Sequence, residues 1–253
     1  MVHPEGTDPL SLMLTLERYD ELRLKEDQTE LKGVNLRTRN WDVKRIDDET
    51  IEFRTSLASM GLDVVKRFHL GKLMPDDPRV GHHVQMQITL ENTGANRHNV
   101  AYRLDGPTGL PTEGDWYVRK ISRSMGSTGL RDVVVGLIED GVVQPGMVGA
   151  PAIAEGDLDP PWIGQAIGYL GVDTQYFAAV LIPMRPDDKP DEILFASSEP
   201  IMAGPVPEEE SDWKLANVSC RMTRKPVALE PGDSLTDTID VFLGPKKNDV
   251  LVA

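Results

Sequence analysis

Five histidines, one cysteine and a few acidic clusters are the residues of this chain whose types could carry chemistry. The histidines are His3, His69, His82, His83 and His98. His82 and His83 precede a predicted strand, where neighbours point to opposite faces, so the two do not chelate one ion together. His69, in Val64–Leu70, faces away from Phe68 and Leu70. There is no HExxH, no His–Cys pair and no histidine set between carboxylates in the sequence, so neither a zinc site nor a catalytic histidine is expected. The single cysteine, Cys220, excludes an internal disulfide and a thiolate cluster. It shares a strand face with Ala216, Val218 and Met222 and reads as a buried, inert thiol.

The acidic clusters and glycines give no stronger signal. Asp157-Leu158-Asp159 and Asp187-Asp188 stand beside prolines and lack the glycine and distal glutamate of a calcium loop. Glu208-Glu209-Glu210 reads as a solvated charge run. A pair of carboxylates for glycoside hydrolysis stays open, because the fold sets that geometry. Ser124–Gly129 lacks the lysine and spacing of a phosphate-binding loop. Gly164, Gly168 and Gly171 lie in too short an apolar stretch for a membrane dimer motif. Asn217-Val218-Ser219 fits a glycosylation acceptor but falls in a predicted strand. The expectation is a chain that is not an enzyme and takes no cofactor.

Charge narrows the partners. The chain has 253 residues with 41 acids against 27 bases, a net charge of -14. Such a surface repels phosphate backbones and anionic lipid, so nucleic acid is not an expected partner. Acidity concentrates in residues 120–212, with 16 acids and 5 bases. The uncharged runs Val142–Ala154 and Pro160–Val172 are interrupted by Pro and Gly and fall short of the roughly 20 apolar residues of a spanning helix. Met1–Gly6 has no basic start leading into an apolar run, which by itself reads as cytosolic.

The elements that would position these residues are mostly strands. In Val84-Gln85-Met86-Gln87-Ile88-Thr89-Leu90 every other residue is apolar, which places Val84, Met86, Ile88 and Leu90 on one buried face. Ile239, Val241 and Leu243 alternate with Thr238, Asp240 and Phe242, and Leu12, Leu14 and Leu16 form a third set. Further predicted strands are Ile51–Thr55, Leu62–Leu70, Val100–Leu104, Trp116–Ile121, Val133–Ile138, Gln175–Ile182, Ile193–Ala196 and Leu215–Met222. Asp140-Gly141 between apolar runs is a two-residue hairpin signal. Pro183–Pro190 and Pro205–Asp212 read as loops, and 22 Gly with 19 Pro favour many turns. A helix start is visible only in Gly244–Leu251, with Pro near its first position. Numerous short strands without a composition break predict an all-β sandwich in one domain.

Three stretches, in this order, resemble the large periplasmic domain of the bacterial YidC-type membrane protein insertases. The first is Gly61–Leu70 followed by Val84–Asn92, similar to a "Gly, apolar, Lys, aromatic" strand and its partner ending in Asn. The second runs from Trp162-Ile163-Gly164 through Asp173–Pro183, similar to a tryptophan strand and a Gln-Tyr-Phe-Ala-Ala strand closing in Ile-Pro. The third is Leu229–Asp233, then Val241–Lys246 and Asp249-Val250-Leu251, similar to a Pro-Gly turn and a Gly-Pro-Lys ending. The first 50 residues and the stretch 106–160 depart from that pattern, and Gly109–Gly114 has no counterpart in it.

The resemblance implies a β-supersandwich, similar to galactose mutarotase-like sugar-binding folds, with a short C-terminal helix. It implies that residues 1–253 are one periplasmic domain of an inner-membrane protein, its first ten or so residues outside the packed fold. It also implies contacts with the Sec translocon and with nascent membrane proteins, while the membrane core of the family lies outside this chain. Trp162, Tyr176 and Phe177 read first as core, but neighbours on a strand face opposite ways, so Tyr176 or Phe177 is left to line a peptide or partner cleft with Trp162. Two other readings stand beside this one. The chain could be a carbohydrate-binding or aldose-epimerase-like protein of the same fold, or a scaffold whose acidic 120–212 face binds a basic partner.

Overall fold

Alternating side chains turn into sheet pairing along most of the chain. The computed structural model describes residues 10–25, 28–70, 82–112, 129–156, 158 and 162–246. Its first strands are β1 (Leu14–Tyr19), β2 (Leu22–Arg23), β3 (Asp42–Arg45), β4 (Thr50–Leu57), β5 (Leu62–His69) and β6 (His83–Asn92). Then come β7 (His98–Asp105), β8 (Asp132–Glu139), β9 (Val142–Val148), β10 (Trp162–Ile163) and β11 (Ala166–Asp173). The last are β12 (Phe177–Pro183), β13 (Phe195–Met202), β14 (Val218–Arg224), β15 (Val227–Leu229) and β16 (Ser234–Pro245).

These strands form an antiparallel β-supersandwich. The larger sheet runs β3-β4-β5-β6-β16-β12-β11-β8-β9, and the smaller runs β10-β13-β14-β7-β1-β2 with β15 beside β7. Met86, Ile88 and Leu90 of β6 are fully buried, as are Leu14 and Leu16 of β1 and Leu104 of β7. They meet in one core between the sheets. The Asp140-Gly141 hairpin is present: Glu139 pairs with Val142, and the turn residues take φ of 52 and 75. Two positive φ values fit the right-handed twist of the strands they join.

Several expectations need correction. A short helix, α1 (Ala150–Glu155), overlaps the end of the uncharged run Val142–Ala154, where no helix is expected, with a proline in its first turn and Gly156 ending it at φ 77. Six residues are too few to show helical periodicity. Tyr176 is not on a strand with Phe177: β12 starts at Phe177, after a turn in which Thr174 Oγ1 bonds the Phe177 backbone. Phe242, assigned to the polar set of its strand, is buried against Ala178 and Val180. The predicted strand Trp116–Ile121 and most of the predicted C-terminal helix lie outside the described residues.

Candidate functional site

Along the inward face shared by β12 and β16, burial gives way to exposure toward one end of the strands. In the register of β12 and β16, Leu181 pairs with Val241, Ala179 with Leu243 and Phe177 with Pro245. Pairs two residues apart share a face. The face that buries Leu181 and Val241 therefore continues to Leu243 and Phe177, which are 49% and 42% exposed.

Chain segment 106–111 crosses above them, leaving a cleft of about 510 Å³ lined by Leu110, Phe177, Ala179, Val241, Leu243 and Pro245 among others. That segment is pinned by hydrogen bonds. Gly106 N donates to Cys220 O (2.7 Å), Ser219 Oγ to Pro107 O (2.8 Å), Thr108 N to Ser11 Oγ (2.9 Å) and Arg131 Nε to Leu110 O (2.9 Å). Leu110 is itself buried against Val172 and Ala179. The cleft is thus preformed, of the size of ligand sites, roughly 300–1,000 Å³. Just outside it, Lys246 Nζ donates to Asp173 Oδ2 (2.8 Å) and to Thr174 O (3.0 Å). Burial pushes the Asp173 carboxyl above its ordinary value, and the Lys246 ammonium opposes that rise.

The three aromatic residues expected to share a cleft are separated. Phe177 lines it, Tyr176 is 57% exposed on the adjoining turn, and Trp162 is buried in the main core on the other sheet. Leu110 and Leu243 were missed. Leu243 reads as one more core residue in its alternation, and the neighbouring Gly244-Pro245 is the one local sign that the strand is ending. Leu110 lies in the stretch without a family counterpart.

Of the described histidines, His82 lines the cleft and the other three sit elsewhere. His83 Nδ1 lies 2.6 Å from Asp240 Oδ2, and His98 Nδ1 lies 2.8 Å from Asp20 Oδ2 with its ring stacked on Tyr19. His69 Nδ1 is 3.0 Å from Thr50 Oγ1. These pairs join residues far apart in the chain, so no local pattern announces them. Cys220 is fully buried, and burial pushes its thiol far above the usual range. Among the described residues no group of three or more His, Cys, Asp or Glu could hold a metal ion. Among the described residues, no helix is long and apolar enough to cross a membrane.

The architecture is an all-β sandwich of two antiparallel sheets. No protein-family model matches the chain, and no curated protein does. Among solved structures, a galactose mutarotase-like protein from Lactobacillus casei is similar at 11% identity and a TM-score of 0.48, covering 82% of this chain and 74% of that one. A galactose mutarotase-like protein from Clostridium acetobutylicum has 7% identity and a TM-score of 0.48, over 94% and 78%. An aldose epimerase homologue from C. elegans has 9% identity and a TM-score of 0.42, over 84% and 70%. Against the expectation that the chain is not an enzyme stand neighbours named as galactose mutarotase-like proteins and as an aldose epimerase homologue, and that expectation is withdrawn.

Proposed function

We propose that this chain is the periplasmic β-supersandwich domain of a YidC-type membrane protein insertase, and that its Phe177 cleft receives apolar stretches of emerging membrane proteins. On this reading the whole protein sits in the inner membrane and works beside the Sec translocon. The observation that carries it is the pair Phe177 and Leu243, apolar residues in the second and third family-like stretches, left uncovered over one preformed cleft. Supporting it, most of the three stretches falls on β5, β6, β16, β12 and β11, consecutive neighbours in the larger sheet, while Trp162-Ile163 and Leu229 fall on β10 and β15 of the smaller one. Each large apolar side chain desolvated in such a cleft contributes about 1.5–3 kcal/mol. That strength suits transient contact with many sequences.

The test uses the full-length protein in inner-membrane vesicles, with a photo-crosslinking amino acid at Phe177 or at Leu22, an exposed residue of the smaller sheet. Crosslinks to nascent inner-membrane proteins are expected from Phe177 and not from Leu22. Equal capture at both positions, or none at Phe177, defeats the reading. Saturable galactose binding abolished by Phe177→Asp would put sugar recognition in its place.

A further inference from the structure

A second cleft opens on the same inner face, and a lysine points into it. The inward set of β5 is Leu62, Val64, Lys66 and Phe68, and Lys66 is paired across the sheet with Phe53 and Ile88. An ammonium in this position is flanked by core residues where another aliphatic would normally stand. Its Nζ donates to Leu12 O and sits 5.6 Å from the centroid of the Trp41 ring. Trp41 is fixed by its Nε1 donating to Leu36 O (3.1 Å), and Phe53 meets Phe68 edge-on with centroids 5.9 Å apart. Together with Leu10–Leu14, Arg37 and Arg39 they enclose about 330 Å³.

The charges here do not balance. Asp105, the carboxylate acting on Lys66, already holds Arg37 Nη1 (2.7 Å) and Arg221 Nε (2.6 Å). Arg39 Nη1 donates to Ser56 O (2.9 Å). Lys66 makes no ion pair among the described residues, and the neighbours it meets on β4 and β6, Phe53 and Ile88, are apolar. Burial pushes its amine down to about 8, Arg37 pushes the same way, and Asp105 opposes them. A net charge of -14 repels anions in general, but an apolar hollow floored by a cation without an ion pair offers an anion a local partner. Both arginines are already engaged, which favours a single negative charge over a phosphate dianion.

We propose that this cleft binds a small carboxylate with an aromatic body, its carboxylate on Lys66 Nζ and its ring against Trp41, Phe53 and Phe68. The site is separate in chemistry from the Phe177 cleft, and its test is independent of the insertase reading.

The experiment titrates the chain with 4-phenylbutyrate, following tryptophan fluorescence and calorimetry, and repeats it with the neutral amide of that acid. Saturable binding of the acid is expected, with the amide weaker by about ten-fold or more. Lys66→Met should weaken the acid by a similar factor while keeping its melting temperature, since methionine fills the space without a buried charge. Lys66 carries its proton below about pH 8, so affinity should hold at pH 7 and fall by about ten-fold per unit as the pH rises past 8. No binding, equal binding of acid and amide, or a flat pH profile overturns the proposal. If Lys66→Met does not fold, the amide comparison and the pH profile of the unaltered chain decide. Tighter binding of Gly-Gly-Phe with a free carboxylate, lost on amidation, would replace the small molecule with a polypeptide C-terminus.

Discussion

At the scale of single residues, Asp105 shows how the fold sets a charge. It is 6% exposed at the end of β7 and serves Arg37 from one side and Arg221 from the other. Burial pushes its carboxyl up, but the hydrogen bonds and charges of Arg221 and Arg37 outweigh that and hold it below the ordinary 3.8. A carboxyl depressed in the folded state adds stability above its unfolded pKa and loses it as the pH falls through the folded one. Asp105→Ala should therefore cost about 3–5 kcal/mol at pH 7 in urea unfolding, because two guanidinium groups lose their shared partner. The difference between the two proteins should shrink on acidification below about pH 4. A constant difference would mean that the charge of Asp105 is not what matters. Nothing in the sequence around Asp105 marks it, since Arg37 and Arg221 lie 68 and 116 residues away. Cys220, by contrast, was legible, because its burial follows from the alternation of its own strand.

At the scale of elements, the question is how the sheet edges avoid unwanted pairing. β9 is an edge of the larger sheet, and its Val142, Val143 and Met147 are exposed. In a two-residue hairpin the pair next to the turn, Glu139 and Val142, exchanges backbone hydrogen bonds, as do the pairs Leu137–Gln144 and Val135–Gly146. The backbone edges of Val143, Pro145 and Met147 then face outward. Pro145 has no N–H to offer there, which interrupts the row of donors at its middle. The opposite edge, β3, is exposed and carries Asp42, Lys44 and Arg45. Pro145→Val should restore the missing donor and promote self-association, seen as dimers or larger species by light scattering. A variant that stays as monomeric as the parent would deny Pro145 this part. The blunted edges also explain why the polypeptide contact proposed above falls to the cleft rather than to strand addition. Hairpin and alternation were legible because each is decided by adjacent residues; α1 was not, because its six residues are set by contact with the rest of the fold.

At the scale of the whole molecule, a net charge of -14 works against compactness. Raising ionic strength from about 0.01 to 0.15 M shortens the screening length from about 30 to 8 Å. The melting temperature should therefore rise by a few degrees over that range in calorimetry. A fall would mean that ion pairs such as Arg54 with Asp63 and Glu91 outweigh the general repulsion. The same scale divides what can be read without coordinates from what cannot. The sequence by itself determined the all-β class, the Asp140-Gly141 turn and the inward residues of β6, because side chains of a strand alternate sides regardless of what surrounds it. Only the tertiary structure decided which inward residues are covered: Val241 is buried and Leu243 is not, although both obey one alternation. It alone joined His83 to Asp240, 157 residues apart, and separated Trp162 from Phe177. Periodicity is a property of neighbours along the chain, whereas cover and charge pairing depend on distant parts of it.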